Sequence, residues 1–417
     1  MQSPHNHAGI LGLFSLVFFG MAFVHSGPVT ERVATYAAAA YASVSTFGQP
    51  SITVAELNST HQKATRTDNT KIKILIVPGH EPQAGGTVFA DVAEKDIVAA
   101  LGQELAHFFA ADSRYEVTVS RTSTAWNPLF EGYFKRELED IPEWINTYRE
   151  KMEDHVADGD VAIVNGVFHN ETPKDVALRL YALNKWANEN GYDLVLHLHI
   201  NDHPRKNTRV AGKYSGFSIY VPERQYSNAG ASHAVAQTVF QRIATTLAIS
   251  NLPKENVGIV EDQELIAIGS KNTLNAVSLL IEYGYIYEPY YEYSIIRNRV
   301  VKELAYQTFR GVQDFFDHRT MITMPVETDI LPYIWEHDLQ RSDTPSVDVL
   351  ALQTALGVNG FYPPVPSDRH ECPLTGIIGP CTLRALAQFQ LAHEISGEAD
   401  VVGPKSRALL EQLVKVN

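Results

Sequence analysis

The chain has 417 residues, 45% of them hydrophobic and 20% charged, which is ordinary globular composition and enough for two or three domains. Its 34 Lys plus Arg stand against 48 Asp plus Glu, a formal net charge of −14. Nothing in that balance would neutralise phosphates, so a nucleic-acid binder is excluded; the charge says little about the fold.

In chain order, residues 8–24 form an uninterrupted apolar run. It is short for a spanning helix, which needs roughly 20 residues, and fits a signal-peptide core or a tilted membrane anchor. No cationic stretch precedes it, only His5 and His7. Residues 1–25 therefore read as a leader or anchor of an exported protein of the periplasm or cell envelope, and the Ala/Ser/Thr-rich residues 26–70 as a flexible tether. Cleavage or retention stays open.

A first folded unit spans 71–318. Residues 71–77 (Lys-Ile-Lys-Ile-Leu-Ile-Val) predict a strand that Pro78-Gly79 ends. The spacing of Ile97, Val98, Leu101, Leu105 and Phe108 predicts a helix over 94–109. Strands follow over 115–120 and 193–200, the second apolar enough for the middle of a sheet. A strand over 217–221, a helix over 232–249, a strand over 276–282 and a long helix over 295–316 complete the unit. Strands alternating with helices predict an α/β fold with a mixed sheet flanked by helices.

The long stretch 122–190 reads as an insertion. It contains an acidic amphipathic segment over 134–154, where Glu137, Glu139, Asp140 and Glu143 accompany Ile141, Trp144 and Ile145. Such insertions serve as lids or binding loops; a solvated helical hairpin covering one face is the alternative. Residues 319–345 read as a linker, and 346–417 as a small three-helix domain with helices over 347–356, 382–391 and 406–414. A domain of that size gains from a staple. The two cysteines, Cys372 and Cys381, would supply one in an oxidising compartment; two free buried thiols are the other reading.

Four stretches look like one zinc site: Val77-Pro78-Gly79-His80, Glu94, His197-Leu198-His199-Ile200-Asn201 and Leu280-Ile281-Glu282-Tyr283-Gly284. Strand ends hold ligands rigidly. Two His and one Glu leave a fourth zinc position open for water, the catalytic rather than the structural pattern. A further carboxylate such as Glu282 would manage that water's protons. The bland reading of Glu282 is a carboxylate paired with Arg179 or Arg121, but an unpaired Glu ending an apolar strand points to a site. His197 shares a strand face with His199 and is either a ligand in its place or a partner behind it. His203 is a weaker competitor, suited to surface or substrate contact.

The order of these motifs resembles the zinc-dependent N-acetylmuramoyl-L-alanine amidases, the Amidase_3 family. The resemblance covers residues 71–318 and rests on Pro78-Gly79-His80 followed by Gly85-Gly86, Glu94, Val119-Ser120-Arg121, His199-Ile200-Asn201 and Ile281-Glu282-Tyr283-Gly284-Tyr285. It implies a phosphorylase/hydrolase-like α/β fold, Zn²⁺ held by His80, Glu94 and His199, and Glu282 as the catalytic residue. The implied reaction cuts the amide between N-acetylmuramic acid and L-alanine in peptidoglycan. Departures are Glu81 where glycine is usual, Leu198 before the ligand, and the long insertion, from which Glu137, Glu139 or Glu143 would keep such an enzyme off by taking the open metal position. The C-terminal domain resembles a three-helix peptidoglycan-binding domain through Val349-Leu350-Ala351-Leu352-Gln353, Gly379-Pro380-Cys381-Thr382, Phe389-Gln390 and Val402-Gly403-Pro404. Two other readings stand beside this one: a zinc peptidase of stem peptides, and an inactive wall-binding regulator on an amidase fold.

Overall fold

The computed structural model describes residues 51–66, 69–83, 85–167, 169, 172–319 and 326–415. The apolar run 8–24 and the tether residues 26–50 lie outside them. Among the described residues no helix is long and apolar enough to cross a membrane.

Helix α1 (Val54–Thr65) opens the described chain under a capping box, in which Thr53 Oγ1 accepts from Glu56 N at 3.2 Å and the Glu56 carboxylate accepts from Thr53 N at 2.8 Å. Its Leu57 is fully buried in the main core, and Ile52 N donates to Asn275 O at 3.1 Å. The expected tether through residue 70 is thereby corrected: the folded unit begins before Lys71, through Leu57 and the half-buried Ile52 in an otherwise polar segment.

Strand β1 (Ile72–Pro78) leads into a short hairpin, β2 (Val88–Phe89) and β3 (Val92–Ala93), then α2 (Glu94–Ala110) and β4 (Tyr115–Val119). The insertion supplies α3 (Pro128–Glu137), α4 (Ile141–Ala157) and α5 (Lys174–Glu189). After it come β5 (Leu194–Asn201), β6 (Ser218–Pro222), α6 (Ala229–Ile243), β7 (Ile259–Asp262), β8 (Val277–Tyr285), a single turn α7 (Pro289–Glu292) and α8 (Ser294–Phe316). The six-stranded sheet runs β4-β1-β5-β8-β6-β7, parallel except where β6 meets β8. The mixed sheet flanked by helices is the expected class, with β7 an edge strand too short to announce itself.

One face of the sheet, with Ile74, Ile76, Leu196, Leu198, Leu279 and Ile281, packs into a single core with Val98 and Leu105 of α2, Val235 and Val239 of α6, and Val300 and Leu304 of α8. On the other face Leu75, Val77 and Val195 meet Phe130 and Phe134 of α3, Ile141 of α4 and Leu183 of α5. The insertion is therefore a helical cover on that face. Its acidic residues do not reach the metal-ligand candidates: Glu137 Oε2 accepts from Lys185 Nζ at 3.0 Å, while Glu139 and Glu143 are exposed. An amphipathic helix packs its apolar stripe inward, which turns those carboxylates outward.

The C-terminal residues form β9 (Leu339–Gln340), α9 (Val347–Val358), α10 (Pro380–Ala392), β10 (Val401–Val402) and α11 (Pro404–Leu413). Two helices start earlier than their apolar spacing implied, because Pro380 and Pro404 occupy first-turn positions where a missing N–H costs nothing. Cys372 and Cys381 form a disulfide. This three-helix unit is continuous with the main core, and Ser215 Oγ meets His370 Nδ1 at 2.6 Å. The described part of the expected linker is packed too: Ile330 and Trp335 are buried, and the Glu303 carboxylate accepts from Thr328 Oγ1 and Asp329 N at 2.7 Å each.

Candidate metal centre

Four local devices assemble the site, beginning at the end of β1. Gly79 N donates to Leu198 O at 2.8 Å, continuing the β1–β5 pairing past Pro78. A Cβ on Gly79 would come within 2.3 Å of His199 Cε1, so only glycine lets that imidazole lie against the turn. His80 follows at φ 64, a left-handed conformation that a non-glycine residue holds only under constraint. The constraint is Arg121, buried behind the turn. Its guanidinium donates to Pro78 O at 3.1 Å, to Lys95 O at 3.1 Å and to Gly79 O.

Glu94 is the first residue of α2, where the helix N-terminus favours a carboxylate. Its Oε2 accepts from Thr87 N at 3.0 Å and its Oε1 from Ile200 N at 3.0 Å. His80 Nε2 stands 2.9 Å from Oε2 and His199 Nδ1 3.3 Å from Oε1. Burial alone would raise the Glu94 carboxyl; hydrogen bonds from His199 and His80, and their charge, hold it well below its ordinary range. The His199 imidazole is lowered by burial, partly offset by its hydrogen bond to Glu94.

Ligand atoms of His80, Glu94 and His199 all lie within 4.8 Å of one another, and they form a cluster of metal-ligating type among the described residues. Tetrahedral zinc with ligand bonds of about 2.0–2.2 Å separates its ligands by roughly 3.3–3.6 Å. The donor set, two imidazoles and a carboxylate, fits that ion.

Glu282 is the register partner of His199 on the neighbouring strand β8, which puts both side chains on one sheet face. Its Oε2 is buried without a partner. Burial first, then the charges of Glu94 and Glu255, push its carboxyl well above the usual value. Neither arginine foreseen as a mate reaches it: Arg121 serves backbone carbonyls, and Arg179 pairs with Glu81 and, at 2.6 Å, with Asp175.

His197 lies outside the cluster. It is 1% exposed, neither ring nitrogen has a hydrogen-bond partner, and burial, with a smaller push from His199, lowers it to about 3. His203 stacks edge-on against Tyr214 with ring centroids 4.6 Å apart. Two cavities flank the site and share Leu265 and Leu280. One of about 170 Å³ is lined by His80, His197 and His199. The other, of about 410 Å³, is lined by Glu282, His169, His203 and Lys254.

Two contributors, Glu255 and His169, were invisible in the motifs, and the role of a third, Gly86, was only hinted at there. Glu255, in a loop, accepts from Tyr220 Oη at 2.6 Å, Asn201 Nδ2 at 3.0 Å and Ser250 Oγ at 2.5 Å, and adds negative potential to Glu282. His169, from the insertion, is fixed by Asp262 Oδ2 at 3.0 Å from its Nε2. Gly86 must be glycine, since a Cβ there would meet His80 Cδ2 at 2.9 Å; the pair Gly85-Gly86 was its only signal.

Residues 161–314 match the family model described as Amidase_3, N-acetylmuramoyl-L-alanine amidase. That span contains His199 and Glu282; His80 and Glu94 join them through the geometry above. No curated protein matches the chain. Among solved structures the chain is similar to the N-acetylmuramoyl-L-alanine amidase of Clostridium difficile 630, at 20% identity over 60% of this chain and 99% of that one, with a TM-score of 0.37. It is also similar to the Ami1 amidase of Mycobacterium smegmatis, at 13% identity over 60% and 100%, TM-score 0.40. The CwlD amidase of Clostridioides difficile, solved with the GerS lipoprotein, matches at 13% identity over 60% and 100%, TM-score 0.40.

Proposed function

We propose that this chain, which carries the Amidase_3 domain of N-acetylmuramoyl-L-alanine amidases, is a zinc-dependent hydrolase of the amide between N-acetylmuramic acid and L-alanine in peptidoglycan. The observation that carries the reading is the convergence of His80, Glu94 and His199 with Glu282 beside His199 on the adjacent strand. His80, Glu94 and His199 would hold the ion. A zinc ion there would supply Lewis acidity, acidifying a water toward a pKa of about 7 and polarising a carbonyl.

The protein's own part is proton handling and positioning. Glu282 takes one proton from the attacking water as that water's oxygen bonds the lactyl carbonyl carbon. The carbon–nitrogen bond then breaks, and the same proton passes to the L-alanine nitrogen, giving a free carboxylic acid and a free amine. A carboxyl pushed upward by burial suits a group that must hold a proton between those two events. Thr87 N and Ile200 N, bonded to Glu94, keep its carboxylate aimed. The three-helix C-terminal unit is the wall-binding module of this reading, and the apolar run 8–24 its export signal or anchor.

Release of stem peptides from purified peptidoglycan by the full chain tests this, with zinc, with chelator and with Glu282→Ala. Free L-alanine amino ends that vanish with chelator and in the variant are expected. Shortened peptides instead would make the protein a peptidase, and a preparation that binds no zinc would overturn the reading.

A further inference from the structure

We propose that the 170 Å³ cavity behind the metal-ligand candidates is a subsite for a small, neutral, methyl-bearing amide of the substrate, with His197 as its hydrogen-bonding residue. The inference rests on the amidase reading and adds a recognition element that the reading does not contain.

His197 sits in the middle of β5 with Val77 on one side in register and Leu280 on the other. Both neighbours line the same cavity. A neutral imidazole carries one N–H donor and one acceptor nitrogen, and here both are buried and unmet. Buried polar groups without partners are rare in folded proteins and each needs an account. The strand around it is Leu194-Val195-Leu196 and Leu198, so packing gives no reason for a histidine at this position. A bound polar group that donates to one nitrogen or accepts from the other supplies the reason, and a neutral amide, with its N–H and C=O, can do either.

Size and charge narrow the occupant. An apolar cavity of about 150 Å³ holds a benzene-sized molecule, so this one has room for an acetamido or alanyl group. Its walls are apolar, with Val77, Leu180, Leu183, Ile266 and Leu280 among them. The charged side chains on its lining, Glu81 and Arg179, are paired with each other. A carboxylate would find no free cation, which sets acidic stem residues aside. His80 and His199 close one end, placing the occupant next to the reacting bond. Two groups of the proposed substrate have this chemistry: the N-acetyl arm of muramic acid and the alanyl residue that follows the scissile nitrogen.

The subsite belongs to this chain's own additions. Thr172 and the α5 residues Val176, Arg179, Leu180 and Leu183 come from the insertion and form its cover. Glu81, which anchors Arg179, stands where the family resemblance has glycine.

The test uses the full chain, zinc-loaded, with a soluble N-acetylmuramoyl-L-alanyl peptide and two analogues, one lacking the acetyl group and one with glycine for L-alanine. His197→Leu and His197→Phe are compared with wild type for kcat, KM, zinc content and melting temperature. Both variants are expected to keep zinc, melt no lower than wild type, and raise KM for the parent substrate about tenfold. Wild type should discriminate against one analogue by about tenfold, and the variants should not, which identifies the occupant as acetyl or alanyl. Unchanged KM and unchanged discrimination in both zinc-retaining variants would leave only a water-filled pocket and overturn the inference. Loss of zinc from both would overturn it in favour of a metal role for His197. A wild type that releases no stem peptide would fail earlier, at the amidase reading itself.

Discussion

On one face of the central sheet Ile74, Ile76, Leu194, Leu196, Leu198, Leu279 and Ile281 are completely buried against α2, α6 and α8. On the other face the same strands begin alike, with Leu75, Val77 and Val195, and then present His197, His199 and Glu282. The side-chain period of two sends every second residue to one face, so a single strand serves both purposes without compromise between neighbours. Within β5, β6 and β8 the unpartnered buried side-chain atoms, those of His197, Glu282 and Ser218, all lie on the second face. That face gives up stability near the metal-ligand candidates, and the first face supplies the stability that lets it do so.

The comparison breaks or holds first at Glu282. Replacing it with Gln removes the proton acceptor and should lower stem-peptide release by about 10²–10⁴-fold. Because a buried carboxylate repelled by Glu94 and Glu255 disappears, the same variant should melt higher than wild type. Activity and melting are read on one preparation; a variant that melts lower would make Glu282 a structural residue. Leu196→Ala, two residues before Leu198 on the opposite face, should do the reverse. Its cavity should cost about 2–5 kcal/mol in denaturant unfolding, with kcat of the folded fraction near wild type. A large fall in kcat there would show that the two faces are not separable.

Glu288, just past β8, sharpens the comparison by adding pH. It is buried, accepts from Gly216 N at 2.7 Å, and burial raises its carboxyl from 4.5 to about 7, more than the hydrogen bonds lower it. The folded state therefore holds a proton that the unfolded chain releases near pH 4.5. Its contribution is fully present below that pH and is lost as pH rises through about 7, a change of roughly 3 kcal/mol. Glu288→Gln keeps an acceptor for Gly216 and removes the titration. The stability difference between variant and wild type should move in the variant's favour between pH 4.5 and 7; a constant difference would mean that Glu288 stays charged.

What could be read from the chain follows the same division. Strands β1, β5 and β8 and helices α2 and α8 were legible because their burial writes a period into the residues, and the site was legible as polar breaks in apolar strands. Contacts made by single anchors were not. Leu57 brings α1 into the core from a polar segment, and Trp335 packs a stretch that reads as a linker. Nor does a sequence say where a long side chain ends: Arg121 and Arg179 were equal candidates to pair with Glu282, and each is taken elsewhere. His197 and His199 are alike in the strand pattern; the family resemblance favours His199, and the turn at Gly79-His80 and the start of α2 are what bring it, and not His197, to the other two candidates.

Arg121 offers the smallest effect and the finest distinction. It bonds none of the ligand atoms, yet its guanidinium bonds four carbonyls at once, that of its chain neighbour Thr122 and those of Pro78, Gly79 and Lys95. The last three flank His80 on one side and Glu94 on the other, so the clamp fixes the spacing of two ligand candidates. Lysine keeps the charge but is a point donor rather than a fork, and cannot span the three. Arg121→Lys should weaken zinc binding about 10–100-fold, the usual cost of losing a residue that orients ligands, as measured by competition with a chelator. The zinc-free proteins should differ far less in melting temperature. If instead the zinc-free variant unfolds early while zinc affinity holds, the strained His80 turn is kept by the fold as a whole, and the metal face is less separable from its scaffold than the comparison of the two faces implies.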